Sequence, residues 1–319
     1  MLALLSALAL GAAPPPPAEQ DRQLIAEAQA MVRAQGDAVW PGFSQAPLPV
    51  LLIGPAQETL LCGLPQPGFA AIGFDPITRC TMQTRPRQLP EDLAASADLG
   101  SAQVIQMGLP AALGLSPDEW SVTFLHEAFH QYQSTLPGYT RAVDRVRGHL
   151  GQSGGQWMLD YPFPYADPRI KTAFAGMTAS ALRFLEAKSD AQAVAAIRDY
   201  VAARTAAQQA AGAEHWPYYE FQAGQEGVAR WSEIRLAALV GAERPAIAAI
   251  GAETSAGLAV SLRAIDTQGV AVWRRSVFYV LGAVEAAMLD RVRPQWQQDY
   301  IVEPFAFGAM LSASVPSAE

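Results

Sequence analysis

SPDEWSVTFLHEAFHQ, residues 116–131, is the stretch on which the reading of this chain turns. It opens like a helix: Ser116 suits the N-cap, Pro117 the first helical position, and Glu119, three residues after the cap, completes a capping box. The helix is therefore already running at His126. At about 100° per residue, His126 and His130 stand roughly 40° apart and one turn along the axis, so both imidazoles reach a single ion. Glu127 points to the adjacent side, where it touches a water on that ion without being a ligand. Phe124, Leu125, Ala128, Phe129 and Tyr132 are apolar around most of the wheel, which predicts a largely buried helix. Only four histidines occur, at 126, 130, 149 and 215, beside 16 glutamates. Shuffling such a composition yields HExxH roughly 0.002–0.003 times per chain, so chance is a poor account of the motif. Two buried histidines and a carboxylate are also costly to desolvate unless an ion compensates them.

Upstream the texture differs. Short apolar runs at 50–53, 59–62, 69–74, 80–84 and 104–107, separated by Gly, Pro and Asp, predict a small sheet. An amphipathic helix over 22–35 precedes it, with Leu24, Ile25, Ala28, Met31 and Val32 on one side, and stops at Gly36. Beyond Ser116 the chain is Ala-rich with helical periodicity over 116–136, 168–188, 190–211, 217–240, 254–265 and 273–292. Sheet first and helices after, with no repeat of fixed period, predict an α+β fold: a small N-terminal β-sheet followed by a mainly helical region that carries the HExxH helix. Residues 19–319 read as one domain divisible into two lobes, 19–115 rich in strand and 116–319 helical.

Half of the 319 residues are hydrophobic and 16% are charged, which excludes disorder as the main state. The 22 basic and 30 acidic residues leave a net charge of -8 without a Lys/Arg cluster, which argues against a nucleic-acid partner. Residues 1–13 form an uncharged apolar run, followed by prolines at 14–17. Residues 1–18 therefore resemble a secretory signal peptide with a Pro-rich linker, and the expected location is periplasmic or secreted. The run is too short to span a bilayer, and no later segment is expected to. The most apolar one, 277–289, is flanked by Arg274 and Arg275 and interrupted by Glu285, so it reads as a buried helix, and no stable membrane span remains after signal cleavage. In an exported protein the two cysteines, Cys62 and Cys80, are expected to pair, closing a loop worth about 3 kcal/mol. Neither has the CxxC partner of a zinc site.

Two histidines hold a catalytic metal poorly, so a third ligand must come from elsewhere. The HExxHxxGxxH pattern is absent, with Gln133 and Pro137 near where its Gly and third His would stand. The acidic candidates on a helix are Glu220, Glu226 and Glu233, in YYEFQAGQEGVARWSE, residues 218–233. As a whole the chain resembles the gluzincin zinc metallopeptidases, in which an HExxH helix is joined by a Glu on a later helix. EGVARW, residues 226–231, is similar to the Glu-Gly-x-Ala-x-aromatic pattern that carries this ligand in many of them. The resemblance implies zinc (Zn2+) held by His126, His130 and Glu226, with Glu127 as the catalytic base. Gly227 and Ala229 would let the second helix approach the HExxH helix closely. Glu220 and Glu233 are left either to accept the second ring N–H of a ligand histidine or to face solvent. The better-known gluzincins place an Asp four residues after the ligand Glu; this chain has Arg230 there, so that role must be filled otherwise.

The same resemblance implies a Tyr or His beyond the third ligand that donates to the oxyanion. No His follows Glu226, which leaves Tyr279 and Tyr300. Tyr279 is preferred, on a helix with a small residue close by, and Tyr218, Tyr219, His149 and His215 are alternatives. The Pro-aromatic loop at 161–165 is a candidate to rim a cleft. The expected function is a zinc-dependent hydrolase, a metallopeptidase that cleaves a peptide or protein substrate with a metal-activated water. Its rival from another class is a non-catalytic, zinc-containing binding or chaperone-like exported protein.

Overall fold

The computed structural model describes residues 15–315, so the expected signal segment at 1–13 lies outside the described residues. The architecture is α+β, with a six-stranded sheet near the N-terminus followed by a mostly helical region. The chain divides into two compact units, Met1–Gln29 with Pro47–Pro117, and Ala30–Ala46 with Asp118–Glu319. Helix α1 (Glu19–Val39) gives its residues up to Gln29 to the first unit and those from Ala30 on to the second.

In the first unit the strands are β1 (Val50–Ile53), β2 (Gln57–Leu61), β3 (Ala70–Asp75), β4 (Cys80–Pro86), β5 (Ala94–Leu99) and β6 (Ala102–Gly108), and the short helix α2 (Pro110–Leu113) follows. Their spatial order is β3-β4-β2-β1-β6-β5. Only β1 and β6 run parallel; the other neighbours are antiparallel. The apolar runs of the sequence become β1, β2, β3, β4 and β6. Strand β5 carries no such signal, because its AASADL has neither β-branched nor aromatic residues. It forms by pairing with β6, Leu99 opposite Ala102, where the short connection makes a hairpin and completes the backbone hydrogen bonds of β6. Leu51, Leu60 and Val104 form the core of the unit. Cys62 and Cys80 are disulfide-bonded, with Cα atoms 4.8 Å apart, as expected of the pair. The fully buried carboxylate of Glu58 accepts from Arg85 Nε (2.6 Å) and from the backbone N–H groups of Gln88 and Leu89 (2.7 and 2.6 Å), which offsets the cost of its desolvation.

The second unit holds α3 (Pro117–Thr135), α4 (Tyr139–His149), α5 (Trp157–Asp160), α6 (Pro168–Glu186), α7 (Asp190–Gln222), α8 (Val228–Leu239), α9 (Pro245–Gln268), α10 (Val270–Trp273), α11 (Ser276–Val292), α12 (Trp296–Val302) and α13 (Phe307–Ser314). Helix α7 is broken at Gly212 (φ 70°, ψ 170°), a backbone conformation open to glycine, so the expected division near 211 is present inside it. Helix α9 runs well past the expected 254–265. It is long and apolar enough, by length and composition alone, to cross a membrane, contrary to the expectation that no later segment would be. Its apolarity comes from six Ile, Leu and Val side chains and seven Ala, and it packs against α6 and α8. The segment at 277–289 lies in α11 and is largely buried, as expected.

Trp40, from the end of α1, centres an aromatic cluster behind α3. Its ring is 5.1 Å from Phe129, 5.3 Å from Trp296 and 5.0 Å from Tyr300, and its Nε1–H donates to Ser232 Oγ at 2.8 Å. A second buried group is polar: Glu285 Oε1 accepts from Tyr200 (2.7 Å), Tyr219 (2.6 Å) and Arg204 Nε (2.9 Å). The loop expected to rim a cleft packs inward instead. Tyr161, Phe163 and Tyr165 are all buried, and the Phe163 ring lies 5.1 Å from Phe278.

Candidate metal centre

Helix α3 delivers His126 and His130 one turn apart, with their Nε2 atoms separated by 3.1 Å. The third donor comes from between α7 and α8, where the helical path passes through one π turn, Ala223–Gly227. Such a turn adds a residue to the helix and re-aims the side chains on it. Here it presents Glu226 Oε2 3.4 Å from His130 Nε2 and 3.7 Å from His126 Nε2. Two imidazole nitrogens and one carboxylate oxygen thus lie within 4.8 Å of one another, a group able to hold a metal ion.

Gln133 ties the two halves of the centre together. Its Nε2 donates to the Gly224 carbonyl (3.1 Å) and more weakly to that of Gln225 (3.4 Å), while its Oε1 lies 3.0 Å from His130 Nδ1. The Tyr300 hydroxyl donates to the same Gly224 carbonyl at 2.6 Å. Tyr300 is fully buried, so of the two tyrosines it supports the turn rather than facing the donors. The Gln225 Oε1 accepts from Tyr139 at 2.7 Å and its Nε2 lies 3.2 Å from His130 Nδ1.

Gly227 makes its close approach to α11 rather than to α3, the neighbour that the sequence suggests. A Cβ on Gly227 would fall 2.4 Å from Gly282 Cα, and one on Gly282 would fall 2.5 Å from the Ala223 carbonyl oxygen. Gly227 therefore seats α11 against the π turn. Tyr279, one turn before Gly282, is brought to Glu226 by this contact.

Glu233, seven residues after Glu226, accepts from His126 Nδ1 at 2.7 Å, and its other oxygen takes Arg230 Nη1 at 2.7 Å. Arg230, at the fourth position after Glu226, thus holds Glu233, which in turn holds His126. Glu220 is turned away, paired with Arg204 Nη2 (2.6 Å) and Trp216 Nε1 (3.0 Å). Glu127 is 7% exposed and acts by its charge on both histidines.

Burial by itself lowers the His126 pKa, but hydrogen bonds with Glu226 and Glu233 and the charges of Glu233 and Glu127 together raise it to about 10. Burial likewise opposes protonation of His130, and the Glu226 carboxylate overcomes it, so this pKa is raised too. Burial would lift the Glu226 pKa, yet the charge of His130 and hydrogen bonds from both imidazoles hold it below the usual carboxylate range. The Tyr279 pKa is raised, first by burial and then by the charge and hydrogen bonding of Glu226.

The other candidate donors lie elsewhere. Tyr219 donates to Glu285, His149 Nε2 is 2.6 Å from the Ala213 carbonyl, and His215 Nδ1 is 2.8 Å from the Tyr161 hydroxyl. Tyr218 donates to the Met158 carbonyl at 3.2 Å and is near enough for the Glu226 charge to help raise its pKa, after burial. Gln133 and Gln225 were missed as supports of the centre, since neither amide carries a sequence signal. Compared with protein families, with curated proteins and with solved structures, the chain matches none, and the chemistry of the centre is carried by its own geometry.

Proposed function

We propose that this chain is a zinc-dependent hydrolase that cleaves peptide bonds, with the HExxH-plus-Glu arrangement of the gluzincins, and that it works in the periplasm or outside the cell. The observation that carries this reading is the convergence of His126, His130 and Glu226 beside the buried Glu127. The separations of 3.1, 3.4 and 3.7 Å bracket the edge, about 3.3 Å, of a tetrahedron with bonds of about 2.0–2.1 Å, and an N2O donor set leaves a fourth position open. The Cys62–Cys80 disulfide supports an oxidising compartment.

Zinc bound there supplies Lewis-acid polarisation of the scissile carbonyl and a lowered pKa for water. Glu127 accepts the proton of the attacking water and passes it to the leaving amine. Tyr279, a protonated phenol at neutral pH, would donate to the carbonyl oxygen as charge develops. Glu233 and Gln133 fix the rings of His126 and His130, leaving both Nε2 atoms for the metal.

Elemental analysis of the purified protein and digestion of a peptide library test the reading. Zinc near one equivalent, cleavage abolished by chelation, and a Glu127→Gln protein that keeps zinc but cuts nothing are expected. Zinc with an uncut library would favour the non-catalytic binding protein, and a protein that takes up no zinc would overturn both.

A further inference from the structure

Two guanidinium groups stand beside Tyr279, and they are not equivalent. Arg230 lines a cavity of ≈ 330 Å³ together with Tyr279, Leu258 and Trp273, but its charge is already met by Glu233 at 2.7 Å. Arg275, at the start of α11, is half-buried with its Cζ 5.5 Å from the centre of the Tyr279 ring. It donates to the Met158 carbonyl at 3.2 Å, the same oxygen that accepts from the Tyr218 hydroxyl and from Gln222. Tyr218 and Gln222 lie one to two turns before Glu226, so Met158 pins Arg275 to the helix that leads into the π turn. Among the described residues no carboxylate lies within ion-pair distance of Arg275. Its side-chain hydrogen bond to Met158 uses one of the five guanidinium donors, which leaves the others open to a ligand.

We propose that Arg275 binds a carboxylate of the substrate beside the bond that is cleaved. This rests on the hydrolase reading above and goes beyond it by naming what the site selects. The carboxylate has two possible sources, the free C-terminus of a peptide or an Asp or Glu side chain, and both would dock as a planar fork on the guanidinium. The Tyr279 hydroxyl and the Arg275 fork, about one turn apart at the start of α11, would then contact neighbouring groups of one substrate.

The experiment uses full-length zinc-loaded protein and four peptide pools of equal length: free-acid or amidated C-termini, each with Asp and Glu or with Asn and Gln. Binding is measured by equilibrium dialysis on the Glu127→Gln protein, and cleavage by mass spectrometry on the wild type. One carboxylate source should raise binding about tenfold or more over its amide counterpart, and Arg275→Gln in the same background should erase that ratio. Arg275→Lys, which keeps the charge and loses the fork, should leave it partly in place; unchanged melting and zinc content show that the variants are folded. If neither carboxylate source is preferred, or if the preference survives Arg275→Gln, the proposal is overturned. Preferential binding with no cleavage by the wild type would leave Arg275 as the carboxylate-binding group and overturn the hydrolase reading alone.

Discussion

The Nδ1 atom of His126 lies 2.7 Å from Oε2 of Glu233, a residue 107 positions further along the chain. The carboxylate fixes the imidazole with Nε2 facing the other donors, and Arg230 in turn holds the second oxygen of Glu233. Replacing Glu233 by Ala should leave the fold in place and weaken metal binding by about 10- to 100-fold. Glu233→Gln, which still accepts a hydrogen bond, should lose less. Competition against a chelator of known affinity measures both, and equal affinities for wild type and Glu233→Ala would remove Glu233 from the centre.

Metal uptake should release a proton and strengthen with pH. Without metal the His126 pKa is raised from 6.5 to about 10, so at neutral pH the ring carries a proton that the ion must displace. One displaced proton corresponds to about tenfold in apparent affinity per pH unit between neutrality and that pKa. The sign for stability is separate: a raised pKa stabilises the metal-free fold fully below 6.5 and is lost as pH rises through about 10. Glu226 acts oppositely, stabilising above its ordinary pKa and losing this as the medium becomes acidic. Calorimetric titration with zinc in buffers of different ionisation enthalpy reads the proton directly, and an enthalpy independent of buffer would refute the prediction.

Gly227→Ala should damage both fold and centre. Its methyl would sit 2.4 Å from Gly282 Cα, a backbone atom that no rotamer change can move aside, so α11 and the π turn must separate. A cost of about 1–3 kcal/mol is expected from such overpacking, together with loss of metal because Glu226 is the preceding residue. Gly148→Ala, on α4 with open space around it, serves as the control and should change neither. Thermal melting and zinc stoichiometry decide the matter.

Tyr279→Phe should keep the metal and slow turnover of a cleaved peptide by about 10²-fold, mainly in kcat, since the hydroxyl is needed where charge develops. A similar loss confined to KM would assign Tyr279 to substrate binding instead. Tyr300→Phe should behave differently, lowering stability through the lost hydrogen bond to Gly224.

Much of the centre is legible in the sequence. The four-residue spacing of His126 and His130 follows from helical geometry, and the capping signals at Ser116 and Pro117 place the helix under them. Glu226 was reachable through its neighbours Gly227 and Ala229 as a pattern, although Gly227 turned out to serve contact with Gly282. Strand β5 was not legible, because a strand of Ala, Ser and Asp exists only by pairing with β6. Helices α4, α12 and α13 carry little signal for a related reason: they are short and Gly- or Pro-flanked, and burial of Tyr139, Trp296, Tyr300 and Phe307 in the second unit holds them.

The sequence by itself determined the order of sheet and helices, the two histidines on one helix face, and the neighbouring carboxylate of Glu127, because all of these depend on spacing within a single element. Only the tertiary structure decided that residues 223–227 form a π turn, that Glu233 rather than Glu220 holds His126, and that Gln133 joins α3 to that turn. The last two are meetings of groups distant in the chain, and the π turn is held by such contacts from Gln133, Tyr300 and Gly282. Local propensity carries no term for such meetings, and packing together with the need to satisfy buried polar groups settles them.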